Sequence, residues 1–365
     1  MPQTILQLLG CQLPIIQAPM AGAQGSAMAV AVCNAGGLGS LPAAMLSLDA
    51  LRSELKATSA QTQQPYNVNF FCHQPPVPDA VREAAWRTAL APYYAEHQID
   101  LAQIPAGPGR SPFTAEACDV LEAFKPRVIS FHFGLPAPDL LARVKAWGAT
   151  VLASATTVAE ARWLEARGAD AVIAQGLEAG GHRGVFLPHS LSTDLDADWQ
   201  RGTATQLGIF ALLPQIMQAV RCPVIAAGGI ADAAGVRTAM ALGASAVQVG
   251  TAYMLCHEAT TSALHRAALK NEASANAQGT ALTTLFTGRP ARGIVNRLMR
   301  ELGPLSPAAP HFPLATAAIT PLRAKAEALG LGDFTPLWSG QNPSGCREIG
   351  AAEITLALAK GFGGT

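Results

Sequence analysis

The sequence predicts an α/β fold, a (β/α)8 TIM barrel with a smaller helical C-terminal segment over the barrel mouth. Between Leu13 and Tyr253, eight short apolar runs alternate with segments of helical spacing. Runs that are apolar throughout are typical of parallel strands buried on both faces, and eight strands close such a barrel in about 250 residues. The alternative is an open doubly wound sheet. Its glycine fingerprint is absent from the first strand–helix turn, because Gly22 and Gly25 have the wrong spacing.

Each predicted strand is a short apolar run that ends at a turn residue or a polar side chain. The eight runs are residues 13–20, 38–41, 66–71, 128–134, 150–155, 171–174, 224–230 and 246–253. We expect the barrel to cover residues 1–255, with a possible last helix at 345–362, and a helical capping segment to cover residues 256–344. The insertion at 74–126 is expected to hold two helices, residues 183–205 a long loop or lid, and residues 286–293 a basic loop.

The composition and charge of the chain limit the classes of function that it can have. The chain has 365 residues, of which 50% are hydrophobic and 14% charged, and its formal net charge is zero. The mean hydropathy is +0.23. Such a chain suits a well-packed enzyme, and we expect neither a nucleic-acid partner nor a membrane partner. No secretion signal or membrane span is expected.

The seven cysteines include no C-x-x-C pair. They predict reduced thiols in a cytoplasmic protein, although a catalytic cysteine stays open.

The stretch A-Q-G-L-E-A-G-G-H-R-G, residues 174–184, organises the predicted site. It follows a buried strand and holds His182 in a glycine-rich turn. A strand that ends in such a loop is how α/β enzymes present reactive side chains. Because glycine and arginine flank His182, a core role suits it poorly, and it is the acid/base candidate near neutral pH. The alternative is a surface histidine in an ordinary strand–helix connection.

Two glycine turns predict a phosphate site. Gly228-Gly229 and Gly250-Thr251 lie where the seventh and eighth predicted strands end. In this type of barrel, the loops after these strands often bind phosphate through exposed backbone N–H groups. The alternative is that glycine merely allows close packing between strand and helix.

Further polar side chains fall at or just after predicted strand ends and should converge on the same mouth. Asn69 and Gln175 can donate to and accept from a heterocycle, and Met20 can pack under an aromatic ring. His132 lies between two phenylalanines and is either a site residue or a hydrogen-bonded core histidine. No cluster has metal-ligand spacing, so we expect no metal site.

Several motifs, in order, resemble the nitronate monooxygenase family, also known as the 2-nitropropane dioxygenase family. They are P-I-I-Q-A-P-M at 14–20, N-A-G-G-L-G at 34–39, N-V-N-F-F at 67–71, S-F-H-F-G at 130–134, Q-G-L-E-A-G-G-H-R-G at 175–184, A-A-G-G-I at 226–230, Q-V-G-T at 248–251 and G-R-P-A-R at 288–292. The resemblance implies an FMN-binding barrel. It also implies oxidation of alkyl nitronates, such as propionate 3-nitronate, by O2 to a carbonyl compound and nitrite through a flavin semiquinone.

The resemblance also implies roles for individual residues. His182 matches the family's catalytic histidine, which orients the substrate or acts as a base on nitroalkanes. His132, Arg289 and Arg292 are candidates for substrate binding. The implied cofactor contacts are Gln17, Met20, Asn69, Gln175, Gly180, Gly181, Gly228, Gly229, Gln248, Val249, Gly250 and Thr251. Residues 296–300 lack the tyrosines expected there, which leaves the substrate's identity open.

Three other functions share parts of this pattern. Two are flavin barrels that use NAD(P)H, an enoyl-thioester reductase and an NADH:quinone reductase. The third is a barrel that binds a phosphate ligand without flavin. The sequence leaves the choice between a monomer and a homodimer open.

Overall fold

The structure, a computed structural model, describes residues 4–100, 104, 110–187, 205–273 and 279–362. Its strands are β1 (Ile15–Gln17), β2 (Ser40–Pro42), β3 (Asn67–Phe71), β4 (Val128–His132), β5 (Thr150–Ala155), β6 (Ala171–Gln175), β7 (Gly181–His182), β8 (Val224–Ala227), β9 (Ala246–Val249), β10 (Thr280–Thr283) and β11 (Ala291–Ile294). Eight of these form one parallel sheet in the order β1-β9-β8-β6-β5-β4-β3-β2. A parallel bridge between Ile16 and Leu38 joins its two ends. The predicted (β/α)8 barrel is therefore confirmed.

Some helices connect the strands on the outside of the barrel, and others belong to the insertion and to the segment after the barrel. They are α1 (Ile5–Leu9), α2 (Ser26–Asn34), α3 (Leu48–Gln61), α4 (Ala80–Glu96), α5 (Ala115–Phe124), α6 (Pro138–Ala146), α7 (Val158–Ala166), α8 (Ile209–Ala219), α9 (Ala233–Ala241), α10 (Ala263–Glu272), α11 (Arg297–Leu302), α12 (Ala315–Ala328) and α13 (Ala351–Ala359). Several begin at side-chain caps that satisfy free backbone N–H groups, as Ser47, Thr157 and Asp232 do.

The lower end of the barrel is closed by apolar side chains. Ile16, Leu38, Leu152, Ile173 and Ile225 form one buried cluster inside it. These residues alternate with others that face the surrounding helices, which explains why the strands are apolar along their whole length. The polar side chains of the site described below lie toward the carboxyl ends of the strands.

The segment after the barrel contains a sheet as well as helices. Strands β10, β11 and β7 form a three-stranded antiparallel sheet. The prediction of a loop at 286–293 is wrong at its end, because Ala291 to Gly293 belong to β11. An isolated four-residue run such as A-R-G-I carries no periodic signal, and only its partners β7 and β10 make it a strand.

The insertion after β3 joins this second segment. Helix α4 packs against α12, and the shared core contains Trp86, Tyr94, Leu322 and Phe334. Tyr94 donates to the carbonyl of Ala318 at 2.6 Å. Residues far apart in the chain thus build one cap over one side of the barrel mouth.

The chain returns to the barrel at its end. Helix α13 buries Ala351, Ile354 and Leu358 in the main core and packs against α2 and α9. The predicted lid at 183–205 lies mostly outside the described residues, which omit 188–204. Within the described ranges, no helix is long and apolar enough to cross a membrane.

Candidate active site

A cavity of about 500 Å³ opens at the carboxyl ends of the barrel strands and beneath the cap. Its size lies in the range of cofactor and substrate pockets. The structure brings most of the sequence-predicted site residues together in its lining. These are Met20, Asn69, His132, Gln175, Gly180, Gly181, His182, Gly228, Gly229, Gln248, Val249, Gly250 and Thr251.

Three predicted residues do not line this cavity. Gln17 is fully buried behind it, where its amide bonds to Ala18 and Gln24. Arg289 donates to the carbonyl of Val185, and its guanidinium carbon lies 3.8 Å from the ring centroid of Phe133. These contacts place both side chains in the walls that support the cavity.

Arg292 likewise supports the wall. Its Nε donates to the carbonyl of Leu177 at 2.9 Å, and its Nη1 donates to Oγ1 of Thr280 at 3.1 Å. The guanidinium thus ties β11 to the loop after β6 and to β10. Burial is the main cause that lowers the pKa of Arg292.

One wall of the cavity is backbone. Gly228 has φ of +121° and Gly229 has φ of +72°, conformations that glycine adopts easily. A Cβ on Gly228 would lie 3.2 Å from the amide nitrogen of Ala179. Glu178 accepts from the backbone N–H of Ile209 at 2.9 Å, so its charge is held at the start of α8.

An unsatisfied acceptor lies in the same region. Oε1 of Gln248 is buried and has no hydrogen-bond partner within the described residues. A buried acceptor without a partner costs about 1–3 kcal/mol, so this amide is suited to a ligand that brings a donor.

Two further amides hold the opposite walls. Nδ2 of Asn69 donates to Oγ of Ser130 at 2.9 Å. Gln175 donates through Nε2 to the carbonyl of His182 at 3.0 Å and accepts through Oε1 from the N–H of Gly184 at 2.8 Å. Gln175 therefore fixes the backbone on both sides of Arg183.

His182 is positioned by two long-range contacts. Its backbone pairs with Ala291 of β11, and its Nε2 lies 3.0 Å from Oγ1 of Thr287. The Thr287 hydroxyl donates to the carbonyl of Arg289 at 3.4 Å. The contact with Thr287 therefore engages Nε2 of His182, and the position of the ring proton depends on the tautomer.

The surroundings of His182 favour its neutral form. The ring lies 5.3 Å from that of Phe312 and 5.6 Å from that of Trp338, measured between centroids. Burial lowers the pKa of His182 well below its usual range, and the charge of Arg110 lowers it further. These surroundings therefore favour the neutral imidazole over the imidazolium.

His132 lies beside His182 and is tied to the wall. Its Nδ1 is 3.0 Å from Oγ of Ser154 and its Nε2 is 3.2 Å from the carbonyl of His182. Burial, followed by the charge of Arg289, lowers the pKa of His132 to about 3. With both nitrogens engaged, His132 supports the backbone of His182.

Sequence reasoning missed several residues of the lining. Arg110, His265, Arg323 and Trp338 reach the cavity from the insertion and from the cap. None follows a barrel strand, so no local signal marked them. Arg110 comes from a stretch rich in proline and glycine, and the other three lie after the barrel.

Arg183, the neighbour of His182, points away from the cavity. Its side chain is fully buried and donates to the carbonyls of Gly176 and Gln175 at 2.6 and 2.7 Å, and to Gln206. It thus pairs with backbone carbonyls rather than with Glu178.

Metal ligands and thiols have no part in the described site. No group of three His, Cys, Asp or Glu side chains in the described ranges could hold a metal ion. The seven cysteines are free thiols, and none lines the cavity.

A cavity at the carboxyl ends of eight parallel strands, lined by a histidine and by glycine turns, is typical of an enzyme of the (β/α)8-barrel class. Residues 3–360 match the family model described as nitronate monooxygenase. Proteins named nitronate monooxygenase from Paraburkholderia phytofirmans and Pseudomonas aeruginosa are each 42% identical over 98% of this chain, and the match covers 94% and 98% of them, respectively. The chain therefore belongs to the nitronate monooxygenase family, a family of oxidoreductases.

Solved structures agree with this assignment. A nitroalkane oxidase from Streptomyces ansochromogenes is similar with a TM-score of 0.84 and 37% identity, covering 96% of this chain and 95% of that one. FabK from Thermotoga maritima has a TM-score of 0.69 and 25% identity, covering 99% of this chain and 96% of that one.

Proposed function

We propose that the protein binds FMN and oxidises alkyl nitronates, such as propionate 3-nitronate, with O2 to a carbonyl compound and nitrite. The observation that carries this proposal is the arrangement of the cavity. A neutral His182 lies on one wall and the Gly228-Gly229 turn on another, in a chain that matches the family over nearly its whole length.

The residues present suit a flavin mononucleotide. The glycine turns at Gly228-Gly229 and Gly250 expose backbone N–H groups that suit a phosphate. The orphaned Oε1 of Gln248 suits a ring N–H of the isoalloxazine, and Asn69 adds a polar side chain to the same lining. When bound, FMN supplies the electron-transfer chemistry with the substrate and with oxygen.

His182 has two tasks in this proposal. Its unprotonated ring nitrogen removes a proton from a neutral nitroalkane, which needs a base within reach of the acidic carbon. With a nitronate, which has already lost that proton, the ring orients the substrate in the cavity that His182 and Trp338 both line. Both tasks need the neutral imidazole, because only this form has an unprotonated ring nitrogen that can accept a proton or a hydrogen bond.

The test begins with the visible spectrum of the purified protein. NADH, NADPH and propionate 3-nitronate are then added separately under anaerobic conditions, and oxygen uptake and nitrite are measured in air. Loss of oxidised-flavin absorbance with the nitronate alone, together with nitrite release in air, is the expected result. Loss with a nicotinamide alone would favour the enoyl-thioester or quinone reductase. A protein that stays colourless after addition of FMN would favour the phosphate-binding barrel.

A substitution tests the assignment of His182. We expect His182→Asn to reduce turnover of a nitroalkane by about 10²–10⁴-fold, and that of its nitronate by less, because only the nitroalkane needs a base. The control is His257→Asn, since His257 is exposed and outside the lining. Full activity of His182→Asn on both substrates would contradict the assignment.

A further inference from the structure

We propose that Glu160, which lies outside the described lining of the cavity, is a positioning residue for His182. Its carboxylate and the guanidinium of Arg289 bind the two ends of one peptide group, which joins Val185 to Phe186. The two charges thereby fix the segment that follows His182. This inference rests on the proposed function, in which His182 removes a proton from a nitroalkane.

Glu160 is fully buried in the first turn of α7, and each of its carboxylate oxygens accepts two hydrogen bonds. Oε2 accepts from the N–H and from the hydroxyl of Thr156, both at 2.7 Å. Oε1 accepts from the N–H of Phe186 at 2.7 Å and from that of Leu187 at 3.3 Å. Hydrogen bonds to an ionised group are roughly twice as strong as those between neutral groups. Glu160 therefore anchors residues 186 and 187 at the carboxyl end of β5.

Arg289 binds the opposite end of the same peptide group. Its Nη2 donates to the carbonyl of Val185, and its side chain is buried against the ring of Phe133. An anion at the N–H end and a cation at the C=O end both favour the direction of the peptide dipole, and hydrogen bonds in such a chain strengthen one another. The carboxylate, the peptide group and the guanidinium thus form an ion pair that is bridged by a peptide.

The residues just after His182 contact the cap and the barrel wall in alternation. The N–H of Arg183 donates to the carbonyl of Pro290 in the cap at 2.9 Å. The N–H of Gly184 donates to Oε1 of Gln175 in the barrel wall at 2.8 Å. The bridged peptide group repeats this alternation, with the guanidinium on the cap side and the carboxylate on the barrel side. The segment that follows His182 is therefore held between the two parts of the protein.

Phe186 provides a second connection to His182. Its ring packs against Gly134, where a Cβ would lie 3.3 Å from Cδ2 of Phe186, and its centroid lies 5.1 Å from that of Trp163. Gly134 closely follows His132 in the chain, and Nε2 of His132 is 3.2 Å from the carbonyl of His182. A displacement of Phe186 would therefore act on His182 through the end of β4 as well as along the chain.

Loss of the charge at position 160 should release this segment. A glutamine has nearly the same shape, but its NH2 group can only donate, and the backbone groups on both sides of Glu160 donate too. Glu160→Gln therefore turns a donor toward a donor and leaves the buried charge of Arg289 less compensated. Misplacement of a catalytic group by about 1 Å can lower a rate by about a hundredfold. We expect kcat on nitroalkanes to fall, because the ring of His182 loses its alignment with the acidic carbon.

Glu165 offers a matched control on the same helix. Its Oε1 accepts from the N–H of Arg221 at 2.6 Å and from that of Cys222 at 2.7 Å. These two residues precede β8, at the end of the barrel opposite the mouth. Glu165→Gln thus removes the same kind of contact at a place that does not touch the segment after His182.

The first test compares steady-state kinetics of the two variants on a nitroalkane and on its nitronate, with the holoenzyme. We expect Glu160→Gln to lower kcat on the nitroalkane by about ten- to a hundredfold and that on the nitronate by less. The KM values and the Kd for FMN should change little, because Glu160 lies outside the described lining. Glu165→Gln should lower the urea midpoint and leave kcat unchanged. Equal losses of kcat in both variants, or no loss in Glu160→Gln, would overturn the proposal.

A double-mutant cycle tests the bridged ion pair. Arg289→Gln should lower kcat on the nitroalkane in the same way, since it frees the other end of the peptide group. The double variant should lose less activity than the product of the two single losses, because both substitutions break one arrangement. Losses that multiply fully would overturn the pair. Glu160→Asp keeps the charge on a shorter side chain and should show an intermediate loss, so it replaces Glu160→Gln if that variant does not fold.

The position of His182 can also be measured without turnover. In the protein labelled with ¹⁵N-histidine, the NMR signals of the His182 imidazole are assigned by their absence in His182→Asn. We expect Glu160→Gln to shift these signals and Glu165→Gln to leave them in place. Unshifted signals in Glu160→Gln would overturn the proposal.

The two proposals can fail separately. A shift of the His182 signals that depends on Glu160 supports the positioning role even in a protein that releases no nitrite from any nitronate or nitroalkane. A protein that oxidises nitronates, and whose Glu160→Gln variant keeps the full kcat on nitroalkanes, would retain the proposed function and exclude the positioning role.

Discussion

Nε2 of His182 lies 3.0 Å from Oγ1 of Thr287, a hydrogen bond between residues 105 positions apart in the chain. The histidine belongs to β7, at the mouth of the barrel, and the threonine to the segment just before β11. Pairing of β7 with β11 sets this distance. Contacts with a distant part of the chain therefore hold the proposed catalytic imidazole in place.

Replacement of Thr287 should disturb this arrangement. We expect Thr287→Val to lower kcat on nitroalkanes by about five- to tenfold, the equivalent of one net hydrogen bond. Thr287→Ser retains the hydroxyl and should retain most of the activity. Steady-state kinetics across pH would check this, and equal activity of the valine and serine variants would show that the hydroxyl does not act on His182.

Gly181 offers a test of the predicted cofactor contacts. It lines the cavity with φ of +70°, and a Cβ there would have no atom within 4 Å. Gly330 has φ of +76° and equally open space, but it lies outside the lining. Both alanine variants should lose about 1–3 kcal/mol of unfolding free energy through backbone strain.

Only Gly181→Ala should raise the Kd for FMN, because only its new methyl group lies in the lining. Fluorescence titration of the flavin-free protein would measure both variants. Similar Kd values for Gly181→Ala and Gly330→Ala would remove Gly181 from the cofactor contacts.

Replacement of Gln248 should raise the stability of the flavin-free protein and lower its affinity for FMN. Replacement by methionine keeps the length of the side chain and removes the buried acceptor without a partner. We expect Gln248→Met to raise the unfolding free energy of the flavin-free protein by about 1 kcal/mol and to weaken FMN binding about tenfold. The control is Gln215→Met, because Gln215 is exposed on α8. A stabilised variant with unchanged FMN affinity would contradict the proposed contact.

Buried histidines should make the fold sensitive to acid. Burial lowers the pKa of His73 and of His265 to about 4, and that of His132 to about 3. In the unfolded chain these groups take up protons near pH 6.5. Below that pH, the unfolded state therefore binds more protons than the folded state. Each histidine then lowers the unfolding free energy by about 1.4 kcal/mol per pH unit until its folded-state pKa is reached.

Urea unfolding between pH 7 and pH 4 would measure this loss of stability. The variant to compare is His265→Gln, since glutamine can still donate to the carbonyl of Trp338, which Nε2 of His265 meets at 2.9 Å. The unfolding free energy of this variant should fall less steeply with decreasing pH than that of the wild-type protein. The difference in slope should correspond to about one proton. A slope equal to that of the wild-type protein would show that His265 is protonated in the folded state as well.

Much of the site could be predicted because it lies at strand ends. His182, Gln175 and Gly228 each follow an apolar run, and in a parallel barrel all such positions converge on one rim. These positions could be predicted without knowledge of long-range contacts, because local apolar runs mark the strands. Gln17 shows the limit of this reasoning, since it also lies at a strand end but its amide turns inward to Gln24.

The residues that were missed come from parts of the chain without such regularity. Arg110 follows a stretch rich in proline and glycine, and Arg323 lies on a helix with many polar positions. Either would be assigned to a solvated surface from its neighbours alone. A hydrogen bond from Arg110 to Thr316 joins the insertion to α12, which carries Arg323, and it links residues 206 positions apart.

By itself, the sequence determined the barrel, its mouth and the side chains that the strands deliver there. These follow from local hydrophobic periodicity and from the geometry of parallel strands. The tertiary structure alone decided which contacts hold His182, which arginines reach the cavity and where the cap adds a sheet. Such features depend on contacts between distant segments, whose energies are set by three-dimensional packing and burial rather than by neighbours in the chain.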